Sequence, residues 1–109
     1  KKITFCYCIS EYPTDFKKIN WKEIRKFDGF SDHTLGINAS IVAIGMGATI
    51  IEKHFTLSRD NKGPDSDFSL EPHELRKLCQ RLWCWGLTCQ MKQRSLPVTN
   101  LLELVKLSP

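Results

Sequence analysis

Two histidines stand 21 positions apart, each at the polar end of an otherwise apolar stretch: His33 in "GFSDHT" and His54 in "TIIEKHF". Side chains alternate along a strand, so Ser31 shares a face with His33, and Glu52 shares one with His54. Lys53 then points to the opposite face. Two neutral imidazoles beside a carboxylate can hold a divalent metal and still leave positions open for a substrate. A metal held in that way polarises a carbonyl oxygen. The same pair also reads as two hydrogen-bonded structural histidines, and spacing alone leaves both readings open. Asp65, in "GPD" just past the third apolar stretch, is placed to reach over the same end or to serve as a turn aspartate. Ser10, Glu11 and Tyr12 occupy the equivalent end of the first stretch, where Tyr12-Pro13 also reads as a rigid loop entrance.

The elements that must position these groups follow from the apolar pattern. Residues 3–9, "ITFCYCI", are β-branched and aromatic enough for a buried strand. A short helix is expected from Asn20, with Glu23 as a capping-box partner and Ile19 and Ile24 as a hydrophobic staple. "GFSDHT" follows as a second strand. Ile37, Ile41, Ile44 and Ala48 recur at helical spacing up to a stop at Gly47. "TIIEKHF" is the third strand, and a loop with Asn61, Gly63 and Pro64 leads to a helix starting between Ser69 and Pro72. Alternating strands and helices predict a parallel sheet with crossover helices. Its closed form, the eight-stranded barrel, needs about 250 residues, so three units make either a small open sheet or a piece of a barrel. Parallel strand ends share one rim, which would bring His33 and His54 together. Beyond Gly86 the pattern weakens to a short helix from Asn100, with Leu101, Leu104 and Val105 on one side.

Composition narrows the class. With 41% apolar and 26% charged residues in 109, the chain has the make-up of one ordinary globular domain. The net charge of +4 is spread over scattered lysines, without the aromatic interleaving of a nucleic-acid surface. The apolar run around Ile41–Ile51 is broken by Gly45, Gly47 and Thr49 and is too short to span a bilayer. No cleavable signal is visible in "KKITFCYCISEYP", so a cytoplasmic setting is the default expectation. Five cysteines cannot all pair, and their spacings match no common zinc pattern, so reduced structural thiols are expected.

"SEYPT", "GFSDHTLGI", "GATIIEKHFTL" and "GPDSDFSLEPHEL", in this order and spacing, resemble the C-terminal part of the catalytic barrel of the sialic acid synthases. That family comprises N-acetylneuraminate, legionaminate and pseudaminate synthases. The resemblance implies a partial TIM (β/α)₈ barrel made of about the last three βα units, strands six to eight, over residues 1–86. Residues 87–109 would be a divergent tail without the antifreeze-like domain that usually follows, as a truncated or frame-disrupted reading frame would leave. It further implies condensation of phosphoenolpyruvate with a 2-acetamido sugar such as N-acetylmannosamine, releasing phosphate. By residue, it implies that His33 and His54 bind Mn²⁺ or Mg²⁺, and that Ser31 binds the phosphate of phosphoenolpyruvate, with Ser10 nearby. Glu52 would orient the sugar or the attacking water, Asp65 would bond sugar hydroxyls, and Tyr12 would line the pocket. The implied partners are the missing N-terminal barrel half and a second subunit of a homodimer.

Alone, such a piece is expected to be inactive and poorly stable, because three strands leave two open edges. Two other readings stand beside it: a non-catalytic remnant with weak metal or partner binding, and an unrelated metal-dependent aldolase of the same barrel class.

Overall fold

The computed structural model describes residues 3–93 and 101–108, with side chains described over 3–87. Three parallel strands, β1 (Cys6–Cys8), β2 (Gly29–Asp32) and β3 (Ile50–His54), carry the molecule. They pair in sequence order, with Cys8 opposite Ser31 and Ser31 opposite Glu52. Helices α1 (Trp21–Ile24), α2 (Asn38–Gly45) and α3 (Pro72–Trp83) follow the three strands in turn. This is the expected α/β arrangement with a parallel sheet.

All three helices cover the same side. Phe30 and Ile51 point from the strands into a core completed by Ile19, Ile24, Ala43, Ile44, Leu78 and Leu82. Small residues on α2 let the helix approach closely: Ala39, Ala43 and Ser40 are fully buried. The helix stops because Gly47 adopts φ +105°, which lets the Ala48 amide reach the Ala43 carbonyl at 3.0 Å. Helix α3 begins with Pro72, whose missing amide hydrogen costs nothing in a first turn. The Glu74 carboxylate accepts from the Glu71 amide at 2.9 Å, satisfying one of the exposed donors there.

Gly29 opens β2 for a steric reason. A Cβ at that position would lie 2.5 Å from the Ile50 carbonyl oxygen and 3.0 Å from Cys6 Sγ. The close packing of the three strands at their N-terminal ends therefore requires glycine there.

Three expectations are corrected. Helix α1 is a single turn, and the Asn20 side chain makes no capping bond, so the anticipated capping box does not form. A 3₁₀ turn at Phe16–Lys18, capped by Asp15, precedes it instead. Leu101–Ser108 is a strand, β5, not a helix. It pairs antiparallel with β3 and with β4 (Thr88–Gln93), giving the sheet order β1-β2-β3-β5-β4. "LLELVKL" is apolar at both helical and alternating spacings, and the backbone groups along the edge of β3 favour the extended form. The β3 edge is thus covered, and the edge strands of the sheet are β1 and β4.

Candidate metal-binding rim

Past the last registered pair, Asp32 opposite Lys53, the chain brings the two imidazoles together. The His33 and His54 ring centroids lie 5.5 Å apart at an interplanar angle of 59°. Metal–nitrogen bonds of about 2.1 Å let two rings share one ion at that separation. Both backbones are tied down: the Thr14 amide donates to the His33 carbonyl at 2.9 Å, and the Leu70 amide to the His54 carbonyl at 2.8 Å.

The hydrogen bonds around His33 fix its chemistry. Nδ1 is 2.8 Å from the Ile9 carbonyl oxygen, which can only accept, so Nδ1 carries the proton. In the neutral ring, Nε2 then bears a lone pair. Its polar neighbour is Ser31 Oγ at 3.3 Å, but the Ser31 hydroxyl donates to Glu52 Oε1 at 2.7 Å. The one hydroxyl proton is therefore used, and Nε2 keeps its lone pair for a ligand. A backbone carbonyl holding the far nitrogen is a common way to orient a metal-ligating histidine.

His54 is set differently. Burial holds its pKa below the usual histidine value; the Asp65 carboxylate opposes that shift, and nearby His33 reinforces it. Desolvation wins, and the ring is neutral at pH 7. Asp65 Oδ2 lies 3.6 Å from Nδ1, too long for a hydrogen bond but within range of its field. Tyr12 packs over His33 at 4.3 Å between centroids, and Phe68 meets the edge of His54 at 5.0 Å. The His33 Nε2 position, with Nδ1 held by the Ile9 carbonyl, and the half-buried His54 ring beside it fit a divalent cation.

Six of the seven residues singled out in the sequence gather here: Tyr12, Ser31, His33, Glu52, His54 and Asp65. The seventh, Ser10, is exposed two residues past β1 and joins none of these hydrogen bonds among the described residues. Several neighbours went unforeseen. Cys8 Sγ lies 3.8 Å from His33 Nδ1, and Cys6, on the same face, has its thiol pushed up to about 11 by burial and then by Glu52. Asp32 and Lys53 form a buried ion pair at 3.0 Å on the helix side of the sheet. A lysine and an aspartate, each inside an apolar strand, were the available signal for that pair.

Other polar features lie apart from the rim. Glu71, His73 and Glu74 offer ligand atoms within 4.8 Å of one another, yet both carboxylates already pair with Arg59. A cavity of about 320 Å³ under the loop after β3 is lined by Asn61, Lys62, Asp65 and Ser66 among others, with neither rim histidine in its wall. No helix among the described residues is long and apolar enough to cross a membrane.

Comparison with known proteins gives a consistent picture. The model of the NeuB family matches residues 1–86. N,N'-diacetyllegionaminic acid synthase of Campylobacter jejuni is 45% identical over 89 residues, covering 75% of this chain and 27% of that protein. Pseudaminic acid synthase of the same organism is 39% identical over 83 residues, covering 70% of this chain and 24% of that protein. A crystal structure of N-acetylneuraminic acid synthetase from Leptospira borgpetersenii superposes with a TM-score of 0.62 and 41% identity. The match covers 65% of this chain and 27% of that one. The chain thus spans about a quarter of the length of the relatives it matches. At these levels of identity, and with the family model running from Lys1 through Gly86, the chain belongs to the NeuB family.

Proposed function

We propose that this chain is the metal-binding portion of a nonulosonic acid synthase, with β1, β2 and β3 as strands six to eight of a (β/α)₈ barrel. The reaction would join phosphoenolpyruvate to the open-chain aldehyde of a 2-acetamido sugar such as N-acetylmannosamine, with release of phosphate. The observation that carries this reading is the pair of imidazoles 5.5 Å apart on one rim, above the hydrogen-bonded Ser31–Glu52 pair.

His33 and His54 would hold Mn²⁺ or Mg²⁺, which when bound supplies Lewis-acid polarisation of the sugar aldehyde. Glu52 would stabilise the electron-poor carbon 2 of phosphoenolpyruvate after carbon 3 has attacked, and would direct water to it. The exposed Ser10 would offer a hydroxyl donor to the phosphate without adding charge, and Ser31 would do so by turning its hydroxyl away from Glu52. Tyr12 packs over His33 and would form one wall of the pocket, and Asp65, on the loop beside His54, would bond sugar hydroxyls. The earlier strands needed to complete the site would come from the N-terminal barrel half.

A second reading is favoured by one observation: β5 occupies the edge of β3, where a closing barrel would place its first strand. On that reading the chain is a non-catalytic remnant. One experiment separates the two. The chain, with and without residues 87–109, is mixed with the N-terminal part of a family relative, phosphoenolpyruvate, N-acetylmannosamine and Mn²⁺. Phosphate release that is lost on His33→Ala or His54→Ala supports the synthase reading. Silence in every combination supports the remnant.

A further inference from the structure

The buried charges behind the rim have no place in the reaction just described, and they call for a reason. Replacing a buried ion pair by apolar residues of similar volume is often neutral or stabilising, so Asp32 and Lys53 are poorly explained by stability alone. Their connections are specific. Asp32 uses all of its acceptor sites: Oδ1 takes the Thr34 amide at 2.8 Å and the Thr34 hydroxyl at 2.7 Å. Oδ2 takes the Ser40 hydroxyl at 2.5 Å and Lys53 Nζ at 3.0 Å. Lys53 Nζ also donates to the Thr34 carbonyl at 2.7 Å.

Strand alternation puts Asp32 between Ser31 and His33, and Lys53 between Glu52 and His54. Asp32 opposite Lys53 is also the last registered pair of β2 and β3. One position further on, where the two histidines stand, the ladder has ended. The ion pair therefore clamps both residues flanking His33 to the residue that precedes His54, from the face opposite the site. We infer that Asp32 and Lys53 are positioning residues: this buried pair sets the spacing and facing of the two rim imidazoles.

The inference rests on the two-histidine reading above, and its test can fail separately from it. Asp32→Leu combined with Lys53→Met in the full chain replaces the charges by apolar bulk. In the metal-free protein, nuclear Overhauser contacts between the His33 and His54 rings, and the Nδ1–H tautomer of His33, are read by nitrogen-15 spectroscopy. Co²⁺ affinity is read by its ligand-field absorption. The expected result is a folded chain with some loss of thermal stability, because the Thr34 and Ser40 donors lose their acceptor. With it come loss of the inter-ring contact and a fall in Co²⁺ affinity of about tenfold, as for other residues that orient metal ligands. A folded double variant that keeps the inter-ring contact and the single His33 tautomer would overturn the inference, whatever the wild-type chain binds. If the double variant does not fold, Thr34→Val serves instead, since it removes one hydroxyl bond to Asp32 at constant volume. It should weaken the inter-ring contact, and an unaltered contact and tautomer overturn the inference in that case too.

Discussion

The two faces of the β1–β3 sheet use the same strands for opposite ends. Toward the helices point Tyr7, Phe30, Ile51 and the neutralised Asp32–Lys53 pair, with Phe30 and Ile51 almost wholly removed from water. Toward the other side point Cys8, Ser31 and Glu52 in one registered row, with His33 and His54 above them. On the helix face Asp32 and Lys53 are bonded to each other and to Thr34 and Ser40, whereas among the described residues no proton donor is left for the His33 Nε2 lone pair. On the proposed reading, groups closed on themselves hold the fold, and groups left open at the rim would take a ligand.

Substitutions on the two faces should therefore behave differently. Phe30→Ala empties the core and should cost about 3–5 kcal/mol, seen as a large drop in the urea midpoint. Lys53→Met alone leaves the Asp32 carboxylate buried without its cation and should cost about 3 kcal/mol. The paired apolar replacement removes that lone charge and should cost less, although it strands the Thr34 and Ser40 donors. Ser31→Ala, on the rim, should cost only about 1 kcal/mol, the usual worth of one hydrogen bond, while disturbing Glu52. A Ser31→Ala loss as large as that of Phe30→Ala would erase the contrast between the faces.

Acid supplies a gentler probe. Because burial lowers the pKa of His54 in the folded chain, the unfolded chain takes up that proton first as pH falls below about 6.5. The unfolded state then binds more protons, so stability decreases as pH drops from about 6.5 toward the folded value and is unaffected by this group above it. His54→Gln should flatten that part of the acid limb in urea titrations; an unaltered limb would mean that His54 is not buried as described. Smallest of all, Lys26→Ala removes an exposed pair with Glu23 on the solvent side of α1 and should shift the midpoint within about 0.5 kcal/mol.

Much of this was legible in the sequence where period and punctuation agree. The three strands fall where alternating and β-branched runs place them, and Gly47 ends α2 through its positive φ. His33 and His54 were found from spacing, because one strand–helix–strand unit returns the chain to the same rim. Three-dimensional satisfaction was not legible. Nothing local says that the Ile9 carbonyl would orient His33, or that Arg59 would pair with Glu74 at 2.7 Å and tie the loop carrying Asp65 to α3. The tail misled because Leu101, Leu102, Leu104 and Val105 suit both a helix and a strand, and pairing with β3 decides between them. The α1 capping box failed because a single turn ends before such a box gains much.

The most direct test of the account is titration of the whole chain with Mn²⁺ while the histidine side-chain signals are followed. His33 and His54 should broaden together and saturate at one equivalent, with exposed His73 unaffected. Broadening of His73 alone, beside Glu71 and Glu74, or of neither rim histidine, would contradict it.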